Sequence, residues 1–210
     1  MTFIGRLTDM QLLSSPTSPY ARKCRALIIE KGLERQIEVV DTPPLDDPEA
    51  LLGVNPLGKV PALIRKSGPA LIDSPLICEY IDTLNDERWI PERAEGRILV
   101  LRQQALADGL MDLAIGRRIE LNRPANRRYR QWIDRWEAGI ARTLGTLESE
   151  RVQFERSVDH GALSIAVALS YLDLRYSELD WRSSHPALAG FHERWSARES
   201  FTQTEPPAGA

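Results

Sequence analysis

The chain has 210 residues, which is enough for one large domain or two small ones and for a sizeable buried core. Its formal net charge of -3 argues against nucleic acid as the main partner. The chain has no run of 18 apolar residues, and residues 1–6 lack the apolar segment of a secretory signal, so we expect a cytoplasmic protein without membrane contact.

The first 84 residues alternate between strand and helix patterns. Period-two alternation predicts strands, and apolar residues at helical spacing predict helices. Cys24 and Cys78 each fall in an apolar-periodic stretch and are too few for a disulfide framework, so we expect two buried thiols. The predicted strands cover 10–13, 36–40, 61–64 and 69–72, and the predicted helices cover 20–31 and 74–84, with at most one short helix between 43 and 48. This β-α-β-α-β-β-α order is that of a thioredoxin-like domain.

Beyond residue 92 the sequence has only helical patterns. Asp159 precedes one of these segments as an N-cap would, although Ala162 replaces the acid that would complete a capping box. We expect the proline-rich tail 204–210 to be frayed. The predicted helices cover 94–121, 127–151, 160–176 and 186–197. The sequence therefore predicts an α/β thioredoxin-like domain at 1–84, a linker at 85–92 and an all-helical domain at 93–210.

The most informative segment is 55–63, Asn-Pro-Leu-Gly-Lys-Val-Pro-Ala-Leu. Pro61 opens a predicted strand, and X-Pro is the one peptide bond that is commonly cis. We predict a cis bond between Val60 and Pro61, which turns the chain so that Val60 presents both its backbone N–H and its C=O. Those two groups are able to pair with an extended peptide as an added strand does.

A second signal follows at Asp73-Ser74-Pro75, where the next helix begins. The simplest interpretation is that Asp73 only caps the helix. The functional interpretation uses the same position, because backbone N–H groups and the Ser74 hydroxyl at a positive helix terminus form a binding site for a carboxylate.

The loop after the first strand, Ser14 to Pro19, is rich in hydroxyl groups at the start of a helix. Capping alone explains any one of them. The same geometry would also stabilise a thiolate, because a helix N-terminus and a hydroxyl donor together lower the pKa of a thiol. Ser18 is the first candidate for that donor, and Thr17 and Ser15 are alternatives if the loop is shifted by a residue.

These motifs resemble the glutathione S-transferase superfamily. The resemblance implies that Val60 and Pro61 hold the cysteinyl backbone of glutathione, while Asp73 and Ser74 hold its γ-glutamyl end. Ser18 stands where omega-type members of the family have their catalytic Cys. That substitution favours stabilisation of the glutathione thiolate over thiol–disulfide exchange.

The resemblance extends over nearly the whole chain. Segments 105–112, 170–175 and 198–204 are similar to YibF-type bacterial members, which implies a cytosolic protein, usually a homodimer, with glutathione as co-substrate. We expect no metal, because the three His residues are scattered and none accompanies the Asp108 and Asp112 pair. Lys59 is either a solvated turn residue or attracts the glycyl carboxylate of glutathione.

The resemblance implies that the glutathione thiolate attacks an unidentified small electrophile. Leu106, Leu110 and Met111 are candidates for apolar contact with that second substrate. Two alternatives remain open. A glutathione-dependent lyase, isomerase or peroxidase would share the thiol site, and a non-catalytic adaptor would keep the scaffold as a binding protein.

Overall fold

The computed structural model describes residues 9–207, so the prediction made for residues 1–6 lies outside the described part of the chain. The chain divides into two compact units. The first runs to Arg88 and includes the segment that starts at Gln203, and the second spans Trp89–Thr202. Within the described residues, no helix is both long and apolar enough to cross a lipid bilayer.

A three-stranded sheet forms the centre of the first unit. The strands are β1 (Met10–Ser14), β2 (Ile37–Asp41) and β3 (Ala62–Ile64), in the order β2-β1-β3. β1 runs parallel to β2 and antiparallel to β3. The central position of β1 explains why its apolar side chains are almost fully buried.

The predicted strand at 69–72 is reduced to a single bridge. Leu71 exchanges two backbone hydrogen bonds with Leu63, of 2.9 and 3.0 Å, and the pairing goes no further. Pro69 has no N–H to donate and follows the turn at Gly68, which has a φ of +83°. The expectation of a fourth strand was therefore wrong in extent.

Two helices of this unit pack against each other, α1 (Pro19–Glu30) and α3 (Ser74–Asp82), while the short α2 spans Glu49–Leu52. Cys24 of α1 and Cys78 of α3 are fully buried, and their Sγ atoms lie 3.5 Å apart. This confirms the prediction of two buried thiols.

A buried ion pair joins the C-terminal ends of the same two helices. Lys31 Nζ lies 3.0 Å from Asp82 Oδ1, and both side chains are almost completely excluded from solvent. The ammonium also donates to the backbone C=O of Glu87. Because a buried charge without a partner is very unfavourable, this pair fixes the ends of α1 and α3 together.

The predicted frayed tail is ordered at its first residue. Thr204 is buried, and its hydroxyl oxygen accepts a hydrogen bond of 3.3 Å from Arg22 Nε. Burial, together with the nearby charge of Arg25, lowers the pKa of Arg22 to about 10. The expectation was wrong here because a contact across 182 residues leaves no local signal in the sequence.

The second unit is built from helices, and the four predicted in this region are found. α4 has the predicted bounds, and three others differ from prediction by one to three residues at their ends. The two short helices α7 and α9 were not predicted, because four or five residues are too few to show a helical period. The helices are α4 (Ala94–Leu121), α5 (Arg130–Glu150), α6 (His160–Arg175), α7 (Trp181–Ser184), α8 (Pro186–Ser196) and α9 (Glu199–Gln203).

α6 is the core helix of this unit and is buried along most of its length. Asp159 caps it, because its Oδ1 accepts from the backbone N–H of Ala162 at 2.8 Å. The predicted N-cap is therefore confirmed. α4 and α5 approach closely at Gly116, where a Cβ would lie 2.8 Å from the ring of Trp136.

Candidate functional site

The N-terminus of α1 holds the first part of the candidate site. Ser18 is its N-cap, and its hydroxyl oxygen accepts from the backbone N–H of Ala21 at 3.3 Å. The side chain is only partly buried. Among the described residues, its hydroxyl hydrogen has no acceptor, so Ser18 is able to donate to a ligand while it caps the helix.

The turn before β3 is organised by Asn55. Its side-chain amide donates to the C=O of Lys59 at 2.6 Å, and its amide oxygen accepts from the N–H of Leu57 at 3.0 Å. Asn55 is itself buried, and its backbone C=O accepts from Gly58, whose φ is +61°. No role for Asn55 was predicted from the sequence. Its position before Pro in a turn could have indicated this role, since Asn side chains in turns often form hydrogen bonds with the backbone two residues further on.

The Val60–Pro61 bond is cis, as predicted. Val60 lies outside the sheet, and no hydrogen bond joins its backbone N–H or C=O to any residue between 9 and 207. Backbone groups of this kind are normally paired in folded chains. An unpaired N–H and C=O on one residue is therefore the arrangement that an extended ligand would complete.

The N-terminus of α3 holds the third part. Asp73 is exposed and is the N-cap, with its carboxylate accepting from the Ser74 N–H. Ser74 is buried, and its hydroxyl has no hydrogen-bond partner within the described chain. An unsatisfied buried hydroxyl is uncommon, and it lies here at the positive end of a helix dipole.

The fold brings these three parts together. β1 and β3 pair with Leu13 opposite Ala62, so the loop that leaves β1 lies beside the Val60–Pro61 turn that enters β3. Val60 also belongs to a buried cluster against which Ile72, the residue before Asp73, packs. The residues predicted from separate motifs therefore lie at one edge of the first unit.

The other predicted site residues lie near this edge and differ in their exposure to solvent. Thr17 and Ser15 are partly buried in the loop before α1, Lys59 is exposed, and Pro61 is buried. Ser15 uses its backbone C=O to accept from the Ser18 N–H at 3.2 Å. Within residues 9–207, no three His, Cys, Asp or Glu side chains are grouped so that they could hold a metal ion.

The three apolar residues proposed for the second substrate differ in exposure. Leu106 is partly exposed, whereas Leu110 and Met111 have no exposed surface. Leu110 and Met111 therefore contribute to packing, and the expectation that they contact an electrophile was wrong for this structure. Apolar identity alone could not separate the two roles.

Comparison with known proteins agrees with this architecture. Residues 17–84 match the model of the glutathione S-transferase N-terminal domain, and residues 130–194 match that of the C-terminal domain. The GST-like protein YibF of Escherichia coli is 35% identical over 202 residues, which cover 94% of this chain and 99% of YibF. The chain belongs to the glutathione S-transferase family.

Solved structures of similar proteins contain glutathione. A glutathione transferase family member from Pseudomonas fluorescens Pf-5 with bound glutathione is 37% identical, with a TM-score of 0.89 over 95% of this chain and 100% of that chain. A glutathione S-transferase from Methylobacillus flagellatus KT with glutathione bound is 35% identical, also with a TM-score of 0.89, over 94% of this chain and 100% of that chain. The predicted fold, a thioredoxin-like domain with an all-helical domain, is confirmed.

Proposed function

We propose that this chain is a glutathione transferase that binds glutathione at the edge formed by Val60, Pro61, Asp73 and Ser74. The observation that carries the proposal is the backbone N–H and C=O of Val60, neither of which has a hydrogen-bond partner among residues 9–207. These groups match the amide of a cysteinyl residue, which offers one C=O and one N–H. The glutathione-bound relatives support the choice of ligand.

The γ-glutamyl end of glutathione would bind at the start of α3. Its carboxylate would accept from the Ser74 N–H and hydroxyl, which is a favourable position for an anion at a helix N-terminus. The Asp73 carboxylate accepts from that N–H in the free chain, so we expect the ligand carboxylate to displace it. Asp73 would then face the ligand ammonium. Lys59, which is exposed beside the turn, would attract the glycyl carboxylate.

The thiol of glutathione would then lie near the N-terminus of α1. Ser18 would donate its free hydroxyl hydrogen to the sulfur, and Thr17 is the alternative donor. A hydrogen bond to the charged form lowers the pKa of the thiol, so the thiolate becomes the populated nucleophile near neutral pH. The thiolate would attack a carbon of the electrophile and form a carbon–sulfur bond. In a substitution the leaving group departs with the electron pair of its bond to that carbon, and in an addition to an activated double bond the resulting carbanion takes a proton from water.

We also propose the domain boundaries, the location in the cell and the oligomeric state that are usual in this family. The glutathione-binding domain would span 1–84, joined through a linker at 85–92 to the helical domain at 93–210. The protein would be a cytoplasmic homodimer, with glutathione and a small electrophile as its partners.

Calorimetric titration of the purified wild-type chain with glutathione tests the proposal first. Saturable binding would support it, and a screen of aromatic halides, epoxides and enones for conjugation would then identify the second substrate. An absence of binding at millimolar glutathione would overturn the proposal, whatever the result of the conjugation screen.

A further inference from the structure

Arg25 of α1 reaches back to the loop that precedes the helix. Its Nη2 donates to the backbone C=O of Pro16 at 3.0 Å. Pro16 lies between Ser15 and Thr17, so this bond is made to the middle of the hydroxyl-bearing loop. Since about 3.6 residues make one helical turn, Arg25 lies about two turns beyond Ser18 and on nearly the same face of α1.

This contact is made at a cost in stability. Within residues 9–207, the Arg25 Nε atom is buried and has no hydrogen-bond partner. Burial lowers the pKa of the guanidinium, because desolvation disfavours its charged form. Burying a cation with an unsatisfied donor is unfavourable, so stability of the fold alone is a poor explanation for this side chain.

We propose that Arg25 is a positioning residue of the thiol site, an inference that rests on the proposed glutathione binding. By holding the C=O of Pro16, Arg25 fixes which residue of the loop faces the ligand sulfur. A loop shifted by one residue would present Thr17 in place of Ser18. With Pro16 anchored, Ser18 keeps its place as N-cap and directs its hydroxyl hydrogen at the sulfur.

Neighbouring groups act on the Arg25 guanidinium in both directions. Cys24 on α1 and the Asp41 carboxylate on β2 raise its pKa against the effect of burial, while the positive charge of Arg22 on α1 repels it. Because an arginine guanidinium is not deprotonated in proteins, Arg25 is a charged donor across the pH range of a thiol titration.

The test compares Arg25→Met with the wild type and with Arg65→Met. Met matches the length of the Arg stem and removes the donor. Arg65 is the matched control, because it also donates to a backbone C=O of this unit, that of Pro69, at 2.9 and 3.2 Å. Two quantities are measured, the Kd of glutathione by calorimetry and the pKa of the bound thiol by thiolate absorbance.

We expect Arg25→Met to raise the pKa of the bound thiol by about half a unit to one unit, which is about a 3- to 10-fold smaller thiolate-to-thiol ratio. Its Kd should stay within about twofold, because Val60, Asp73 and Ser74 still hold the ligand. Arg25→Lys, which keeps a charged donor, should restore most of the wild-type value. Arg65→Met should change neither quantity.

A bound-thiol pKa that is unchanged in folded Arg25→Met would overturn the inference. If that variant does not fold, Arg25→Gln replaces it, because its shorter amide does not reach Pro16, and the same two outcomes apply. The double variant with Ser18→Ala should raise the pKa no further than Ser18→Ala alone. An additive rise would mean that Arg25 acts on the sulfur by its own charge, and the positioning role would be wrong. Failure of the wild type to bind glutathione would instead refute the proposed function.

Discussion

Asp159 and Asp73 each cap a helix, and the two carboxyl groups have different surroundings. Asp159 caps α6, whose first turn is fully buried, and burial raises the pKa of its carboxyl group, partly opposed by hydrogen bonds from Ala162, Ser157 and Gly161. Asp73 caps α3, is exposed, and lies next to the Ser74 hydroxyl, which has no hydrogen-bond partner among residues 9–207. The same residue type in the same helix position thus caps a core helix in one unit and borders an unpaired hydroxyl in the other.

The largest expected effect is a difference in glutathione affinity between variants of the two aspartates. Asp73→Ala should weaken glutathione binding by about 1–3 kcal/mol, roughly 5- to 150-fold in Kd, because a charge-assisted hydrogen bond is lost. Asp159→Ala is the matched control in the same calorimetric titration and should leave Kd unchanged. Undiminished affinity in Asp73→Ala would count against the site.

The next expected effect is a difference between the two aspartates in the free energy of unfolding. Asp159→Ala should lower it by about 1–2 kcal/mol, since the buried first turn of α6 loses its cap. Asp73→Ala should lower it less, because the exposed Asp73 carboxylate accepts only from the adjacent Ser74 N–H. Urea denaturation of the wild type and both variants measures the difference, and equal losses would contradict it.

A smaller effect concerns the serine cap of α1. Ser18→Ala should raise the pKa of the bound glutathione thiol by about one unit, with little change in affinity, because one donor to the thiolate is removed. Thiolate absorbance titration follows this shift. Thr17→Ala and Ser15→Ala are controls that should leave the thiol pKa in place, and a shift in Thr17→Ala alone would transfer the role to that residue.

The smallest expected effect is a pH dependence of stability that comes from Asp159. Because its pKa is raised on folding, the folded state holds the proton more tightly than the unfolded state. The stability of the wild type relative to Asp159→Asn should therefore be greatest below the ordinary Asp pKa and decrease as pH rises through the folded-state value. Urea unfolding of both proteins across pH 3–7 would check it, and a difference that increases with pH would contradict it.

Much of the fold followed from local pattern. The bounds of α4, the cap of α6 and the cis bond at Pro61 were predicted correctly, because each depends on residues close in sequence. The predicted length of the strand at 69–72 was too great. Apolar alternation does not reveal how many backbone hydrogen bonds Pro69 and its neighbours can make to the next strand.

Candidate site residues could be named from the sequence where they stand in short motifs. Val60 and Asp73 are of this kind, and their roles in binding stay predictions. The roles of Asn55 and Arg25 depend on which backbone carbonyl their side chains reach, and that is set by the folded turn. Leu110 was named as a candidate for substrate contact because the sequence does not show whether an apolar residue packs in the core or contacts a ligand.

The contact between Cys24 and Cys78 has a practical consequence for assays. These are the two cysteines of the chain, and neither has exposed surface. A thiol reagent such as Ellman's should therefore react slowly with the folded protein and quickly with glutathione. In an assay of the proposed conjugation, loss of reagent-accessible thiol would then report consumption of glutathione without a background from the protein. In denaturant the same reagent should detect two thiols per chain. The reagent therefore measures the concentration of protein chains in denaturant and the concentration of glutathione under native conditions.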